Sequence, residues 1–260
     1  AATEVCAGES IQFTDLSANA ISRQWYFQGG NPSTSTAANP LITYSTPGVY
    51  LVSLQVANSI GNNSLVLNQY ITISSSHALP LTEGFENNYP QFWTKKDDGD
   101  DGVGWVLSGN AGGYGNSLNA MLFDNYNNDA NGKRDEFGTP QLNFQNLDSV
   151  NLTFDLAYAR YDGGYHDTLA VLVSTDCGNT FTEVYNVGYT DLATAPDNTN
   201  FFVPDATQWR TETISLTPFV NSQNLMIIFQ GRGHYGNSLY IDNVNLAAYT
   251  VANPTADFAA

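Results

Sequence analysis

The sequence predicts an all-β protein made of two consecutive β-sandwiches. Three observations carry this reading. The apolar fraction is 42% and is rich in Tyr (15) and Phe (14), alongside many Val, Ile and Thr. Those side chains suit a pleated, half-buried surface. Apolar and polar residues alternate at period two through most of the chain, and no stretch of about ten residues keeps a helical period. Runs of Gly, Pro, Asn and Ser punctuate the alternation, as turns between strands do.

Charge divides the chain. Residues 1–76 hold Glu4, Glu9 and Asp15 against Arg23, whereas residues 77–249 hold 21 acids against seven bases. The stretch "ISSSHALP" (residues 73–80) has the composition of a linker and sets the expected boundary. One domain is therefore expected over 1–76 and a second over 77–249, with 250–260 the start of a third.

In the first segment "SIQFTDL", "VYLVSLQVAN" and "NQYITIS" alternate as strands, and "GGNPS", "TPG" and "NSIGNNS" separate them. About six or seven short strands in so short a span make a small β-sandwich. The segment resembles the PKD (polycystic kidney disease) domain. Trp25, Phe27, Asn39, Pro40, Tyr44, Gly48, Tyr50, Asn58 and Gly61 stand where that family has Trp-x-Phe, Asn-Pro, Tyr, Pro-Gly-x-Tyr and Asn-x-x-Gly. The family's "GDG" turn is "QGG" here, Gln28 to Gly30. The resemblance implies an immunoglobulin-like sandwich.

In the second segment "SVNLTFDLAYARY", "DTLAVLVSTD", "WRTETISLTPF", "NLMIIFQGRG" and "SLYIDNVNLAAY" all alternate. Strands joined by long polar loops suit a jelly roll. This segment resembles the MAM-like and cleaved-adhesin jelly rolls of secreted Bacteroidetes proteins. The carrying residues are "LTEGFE", "FGTPQLNF", "STDCGNTF" and "YGNSLYIDNV". The tail "NPTADFAA" (253–260) looks like the first strand of another PKD domain, and the chain opens abruptly on "AATEVCAGES". The expectation is a monomeric fragment of a longer modular chain, secreted or at the cell surface.

Net charge is −17 with eight basic residues, which argues against a nucleic-acid partner or an anionic membrane surface. No apolar run approaches the roughly 18 residues of a membrane span, so no membrane insertion is expected. Acids favour a divalent cation instead. "KKDDGDDGVGW" (95–105) is not an EF-hand: Asp97, Asp101 and Gly102 fit, but Gly99 takes the third position and Ser108 the twelfth. It reads first as a turn, with a second ion site as the alternative. The resemblance implies a structural calcium tying the opening strand to the closing one, with Glu86 and Asp242 as ligands. Asp135 and Glu136 of "KRDEFGTP" and Asp124 of "MLFDNY" join that candidate set. The competing reading is that these acids cap turns or face solvent.

Catalytic signals are weak. HExxH and GxSxG do not occur. Cys177 lies near Asp176 and Glu183, which disfavour a thiolate, so it reads as a turn residue, and Cys6 as a small buried hydrophobe. His77 falls in the linker, and His166 and His234 in loops. Tyr161, Tyr165, His166 and Tyr235 are the candidate ligand-binding residues, as rings able to stack on sugar faces; the alternative is that they pack in the sandwich. The function expected is a non-catalytic adhesion module binding an extracellular protein or glycan. The alternative is a carbohydrate-binding module that delivers a hydrolase.

Overall fold

The computed structural model describes residues 3–113, 117–128 and 132–250. The chain divides into two compact units, Ala1–Ser76 and His77–Ala260. Most of the start of a third domain, residues 251–260, lies outside the described residues.

The first unit is a β-sandwich. Its strands are β1 (Thr3–Cys6), β2 (Ser10–Gln12), β3 (Ser22–Phe27), β4 (Thr34–Ser35), β5 (Leu41–Thr43), β6 (Gly48–Ala57) and β7 (Asn62–Ser74). One sheet runs β1-β7-β6-β3-β4, with β1 parallel to β7, and β2 pairs β5 in the other. Alternation along β3 turns Trp25 and Phe27 inward, where they meet Phe13, Ile42, Val52, Ile71 and Ile73. The Trp25 and Phe27 rings stack 5.5 Å apart, and the indole N–H donates to the Ala37 carbonyl at 3.1 Å.

The "QGG" turn follows from what lies on it. Gly29 adopts φ +70°, and a Cβ there would sit 2.3 Å from the Tyr50 ring. A Cβ on Gly30 would sit 2.6 Å from Ile42 Cγ2. Tyr50 is fixed over the turn by its hydroxyl, which donates to the Thr46 carbonyl at 2.7 Å. Two glycines are the sequence solution to an aromatic ring lying on a left-handed turn.

The second unit is a jelly-roll sandwich. Its strands are β8 (Leu81–Glu83), β9 (Thr94–Lys96), β10 (Trp105–Ser108), β11 (Ala120–Asp124), β12 (Arg134–Gly138), β13 (Ser149–Tyr158), β14 (Thr168–Ser174), β15 (Thr182–Gly188), β16 (Arg210–Ser215), β17 (Met226–Arg232) and β18 (Ser238–Tyr249). One sheet runs β10-β11-β18-β13-β16, with β8 also on β18, and the facing sheet runs β15-β14-β17-β12-β9. Among the described residues, helix is confined to Tyr189–Leu192 and a 3-10 turn at Thr217–Phe219, so the end of "WRTETISLTPF" leaves the strand conformation.

Val150, Leu152, Phe154, Leu156 and Tyr158 face the core from β13, and Phe137 and Phe229 stack at 4.9 Å from the facing sheet. Strict alternation fails at the end of β13, where Ala157 is buried too. Phe202 and Trp209 cover the outer face there, and the Tyr240 hydroxyl donates to the Phe202 carbonyl at 2.8 Å. Burial on both faces makes that stretch continuously apolar.

Gly29→Ala is expected to destabilise the first unit by about 1–3 kcal/mol, through ring displacement and a left-handed alanine. Amide hydrogen exchange across β3 and β6 measures it. Gly61→Ala is the control, because its added methyl meets nothing within 4 Å. Equal protection in both variants would show that Tyr50 moves away freely.

Candidate functional site

The long strand β18 organises the candidate residues. Ser238 to Ile241 pair with β11, and Val244 to Leu246 pair with β8. Between these two partners lie Asp242 and Asn243. Opposite them the register of β13 shifts between Thr153 and Asp155, and Asn243 takes φ +49°. Such a bulge re-aims side chains.

At that point Asp242 and Asp155 are cross-strand partners, so two carboxylates face each other on adjacent strands. Like charges placed so are destabilising unless compensated. Asp242 is fully buried, and burial pushes its carboxyl above the usual range, with the Asp155 charge adding to the effect. Its Oδ2 accepts from the Gly113 amide and lies 2.7 Å from Ser117 Oγ. The same Ser117 Oγ lies 2.7 Å from Glu86 Oε1 and 3.3 Å from the Asn119 carbonyl. One hydroxyl proton thus faces three acceptors. Glu86 also accepts from the amides of Leu118 and Asn119, and these bonds with Ser117 hold its carboxyl below the usual range. Asp155 accepts from Thr211 Oγ1 at 2.6 Å and Asn243 Nδ2 at 2.8 Å.

Glu86 and Asp242 therefore meet through Ser117, joined by Asp155, which the sequence reading did not single out. The other candidate acids lie elsewhere. Asp124 ends β11 and accepts from the Asn127 amide and side chain, so it shapes a loop. Asp135 and Glu136 sit on β12 in the opposite sheet. Glu136 accepts from Gln230 Nε2 at 2.6 Å. Among the described residues, no group of three or more His, Cys, Asp or Glu side chains is arranged to hold a metal ion.

Asp135 faces the loop 95–105. It is fully buried, and its Oδ1 accepts from the Asp98 amide at 2.7 Å. Its Oδ2 is buried without a hydrogen-bond partner. Burial first, then the charges of Asp97, Asp101 and Asp98, raise its carboxyl to about 6. The loop is a turn built on its aspartates: Asp97 accepts from the amides of Asp101 and Gly102, Asp101 accepts from Val103, and Lys133 lies 3.3 Å from Asp101. Asp176 caps the "STDCGNTF" hairpin by accepting from the Thr180 amide and hydroxyl. Cys177 occupies that turn at φ +64° and is not a free thiol, and neither is Cys6.

The tyrosines converge. Asp124 pairs with Ser238, and Tyr158 pairs with Leu239, so the loops after β11, after β13 and before β18 emerge at one end of the sheet. Tyr126, Tyr161, Tyr165 and Tyr235 there line an open cavity of about 500 Å³. Successive ring centroids are 6.3, 6.1 and 6.1 Å apart. Asn125, Asn127, Asn128 and Gly236 complete the lining. His166 is not part of it; its ring packs 3.4 Å from Tyr189 and 5.2 Å from His234. Burial lowers its affinity for a proton, and the neighbouring His234 adds to that.

A buried carboxylate sets this end. Asp167 Oδ1 accepts from the amides of His234 at 2.8 Å and Gly236 at 3.1 Å, and Tyr158 donates to Oδ2 at 3.2 Å. Tyr235 is held between those two amides at φ +55°. A Cβ on Gly236 would lie 2.1 Å from Asp167 Oδ2, so the "HYGN" turn admits only glycine there. Asp162 Oδ1 accepts from Gly164 and Tyr165 and positions the second ring. Burial raises the Asp167 carboxyl, while its hydrogen bonds oppose the rise. Tyr126 and the three asparagines were missed in the sequence, although "DNYNND" is an amide-rich aromatic loop directly after a strand.

The PKD-domain family model matches residues 1–71. No curated protein matches the chain in sequence. The K1 cleaved adhesin domain of Lys-gingipain from Porphyromonas gingivalis W83 is similar in structure, with a TM-score of 0.50 and 21% identity over 66% of this chain and 99% of that one. The K3 cleaved adhesin domain of the same protein gives 0.47 and 21% over 65% and 99%. The chain thus pairs a PKD domain with a second unit of the cleaved-adhesin fold.

Asp135→Asn is expected to raise stability at pH 7.5, by at most about 3 kcal/mol. The folded carboxyl titrates near 6 against a reference of 3.8, so its contribution is fully present below 3.8 and lost as pH rises through about 6. The gap between variant and wild type should close as pH falls across that window. Thermal unfolding at pH 7.5 and 4 measures it. A wild type as stable as the variant at pH 7.5 would mean that the charge is compensated.

Proposed function

We propose that this chain is a non-catalytic binding piece of an extracellular protein, in which the jelly roll captures a partner and the PKD domain spaces it. The observation that carries this is the tyrosine-lined cavity at one loop end of the second unit. Its rings are placed by buried or turn-capping carboxylates on a rigid sandwich, which is how loops carry binding residues. Its lining of Tyr, Asn and Gly offers stacking and hydrogen bonding, and none of these is an activated nucleophile. No helix of the described residues is long and apolar enough to cross a membrane.

A structural calcium belongs to this reading. Glu86, Asp155 and Asp242, which do not form a ready metal cage among the described residues, would have to draw together on it, with Ser117 and Asn119 supplying neutral oxygens. What supports the fit is the surplus of acceptors over protons around Ser117 and the facing pair Asp155 and Asp242. A hard cation takes oxygen ligands of this kind. Bound there, it would neutralise the facing carboxylates and tie the chain after β8 to the closing strand.

Two outcomes are expected. Calcium at about 100 times its Kd should stabilise the second unit by about 2.7 kcal/mol, chelator should reverse this, and Asp242→Ala should abolish the response. Superimposable melting curves with and without chelator would refute the calcium site. In binding assays against panels of extracellular matrix proteins and glycans, Tyr165→Ala and Tyr235→Ala should lose the partner that the wild type retains, at unchanged melting temperature. Retention of every partner by both variants would move the function to another surface.

A further inference from the structure

We infer that the tyrosine-lined cavity takes the end or side branch of a neutral glycan, entering it as a single chain; this rests on the binding role proposed above. The first support is charge. The protein carries −17, yet no charged side chain lines this cavity among the described residues. The nearby carboxylates are occupied: Asp124 by Asn127, Asp162 by two loop amides, and Asp167 by two amides and a phenol. A cationic ligand would find no free carboxylate in the lining. A sulfated or uronate ligand would find no Lys or Arg there and would enter against a strongly negative field.

The second support is ring geometry. Tyr161 and Tyr165 meet at 75°, and Tyr165 and Tyr235 at 84°. Tyr161, Tyr165 and Tyr235 therefore stand steeply to one another and do not form one flat platform, while Tyr126 and Tyr161 meet at 40°. Coplanar rings suit the face of a packed polysaccharide sheet. Upright rings suit a pyranose that inserts and offers its CH-rich face to one ring and its edge to the next. At about 500 Å³ the cavity is in the range of small-ligand sites.

The third support is polar. Asn125 is buried at the cavity with its side chain beside the Asp167 carboxyl, and its Oδ1 meets no hydrogen-bond partner. A buried amide oxygen lacking a partner is costly. That oxygen is an acceptor open to a sugar hydroxyl, which can donate to it. Asn127 and Asn128 donate to Asp124 and line the same cavity, each adding an amide oxygen as an acceptor.

The test uses the whole chain with calcium present, on an array of neutral, sialylated, sulfated and uronate glycans, with extracellular matrix proteins beside them. Neutral glycans should bind, and binding should hold when salt rises from about 0.05 to 0.5 M, since no ion pair is broken. Tyr165→Ala and Tyr235→Ala should each weaken binding about five- to tenfold, and Tyr165→Phe should retain it. Asn125→Asp, which adds a carboxylate without changing size, should abolish it. Binding only to acidic glycans, or binding that salt removes, overturns the inference. Capture of a protein and no glycan, lost in the tyrosine variants, also overturns it and leaves the binding role standing. Glycan binding indifferent to Tyr165→Ala and Tyr235→Ala overturns both.

Discussion

The second unit depends on one constraint: the long strand β18 must be paired along both sides, and on the side away from β13 no single neighbour is long enough to do it. The strand meets β13 along one side and is handed from β11 to β8 along the other. The hand-over falls at Asp242 and Asn243, where the ladder is interrupted and the opposite register slips. Side chains from both sides fill that interruption. Glu86 arrives just after β8, Ser117 just before β11, and Asp155 from β13, so the oxygen-rich cluster is a consequence of how the sheet is joined.

The acidic composition has a local meaning. Asp97, Asp101, Asp124, Asp162, Asp176 and Asp205 all accept from backbone amides nearby in their own loops and turns. Long loops leave many N–H groups without a ladder partner, and an aspartate two to four residues away is the cheapest acceptor. Much of the negative charge of the unit is therefore scaffolding for loops. Among the described residues, no charged side chain lines the cavity those loops form.

Buried carboxylates are used in two ways. Asp167 is surrounded by donors and fixes Tyr235 in a left-handed conformation that its neighbours over-determine. Asp135 keeps one oxygen without a partner, and burial together with the charges of three other aspartates raises its carboxyl. Burial raises both carboxyls; the donors around Asp167 oppose the rise, whereas Asp135 has one amide against three like charges.

The sequence alone determined the all-β class, the two-sandwich order and most strands. Period-two alternation is local, and "SVNLTFDLAY" or "SRQWYF" displays its inward face in its own letters. It also determined that Tyr161, Tyr165 and Tyr235 belong to loops. Tertiary structure decided which residues meet. Asp124 and Asp242 lie on paired strands, yet one shapes a loop and the other sits at the bulge, because position along the ladder separates them. Tyr126 joins the other tyrosines through the pairing of Asp124 with Ser238, 114 residues on, and His166 leaves them by turning onto Tyr189. Such meetings are set by register between distant strands, and no spacing within a segment encodes it.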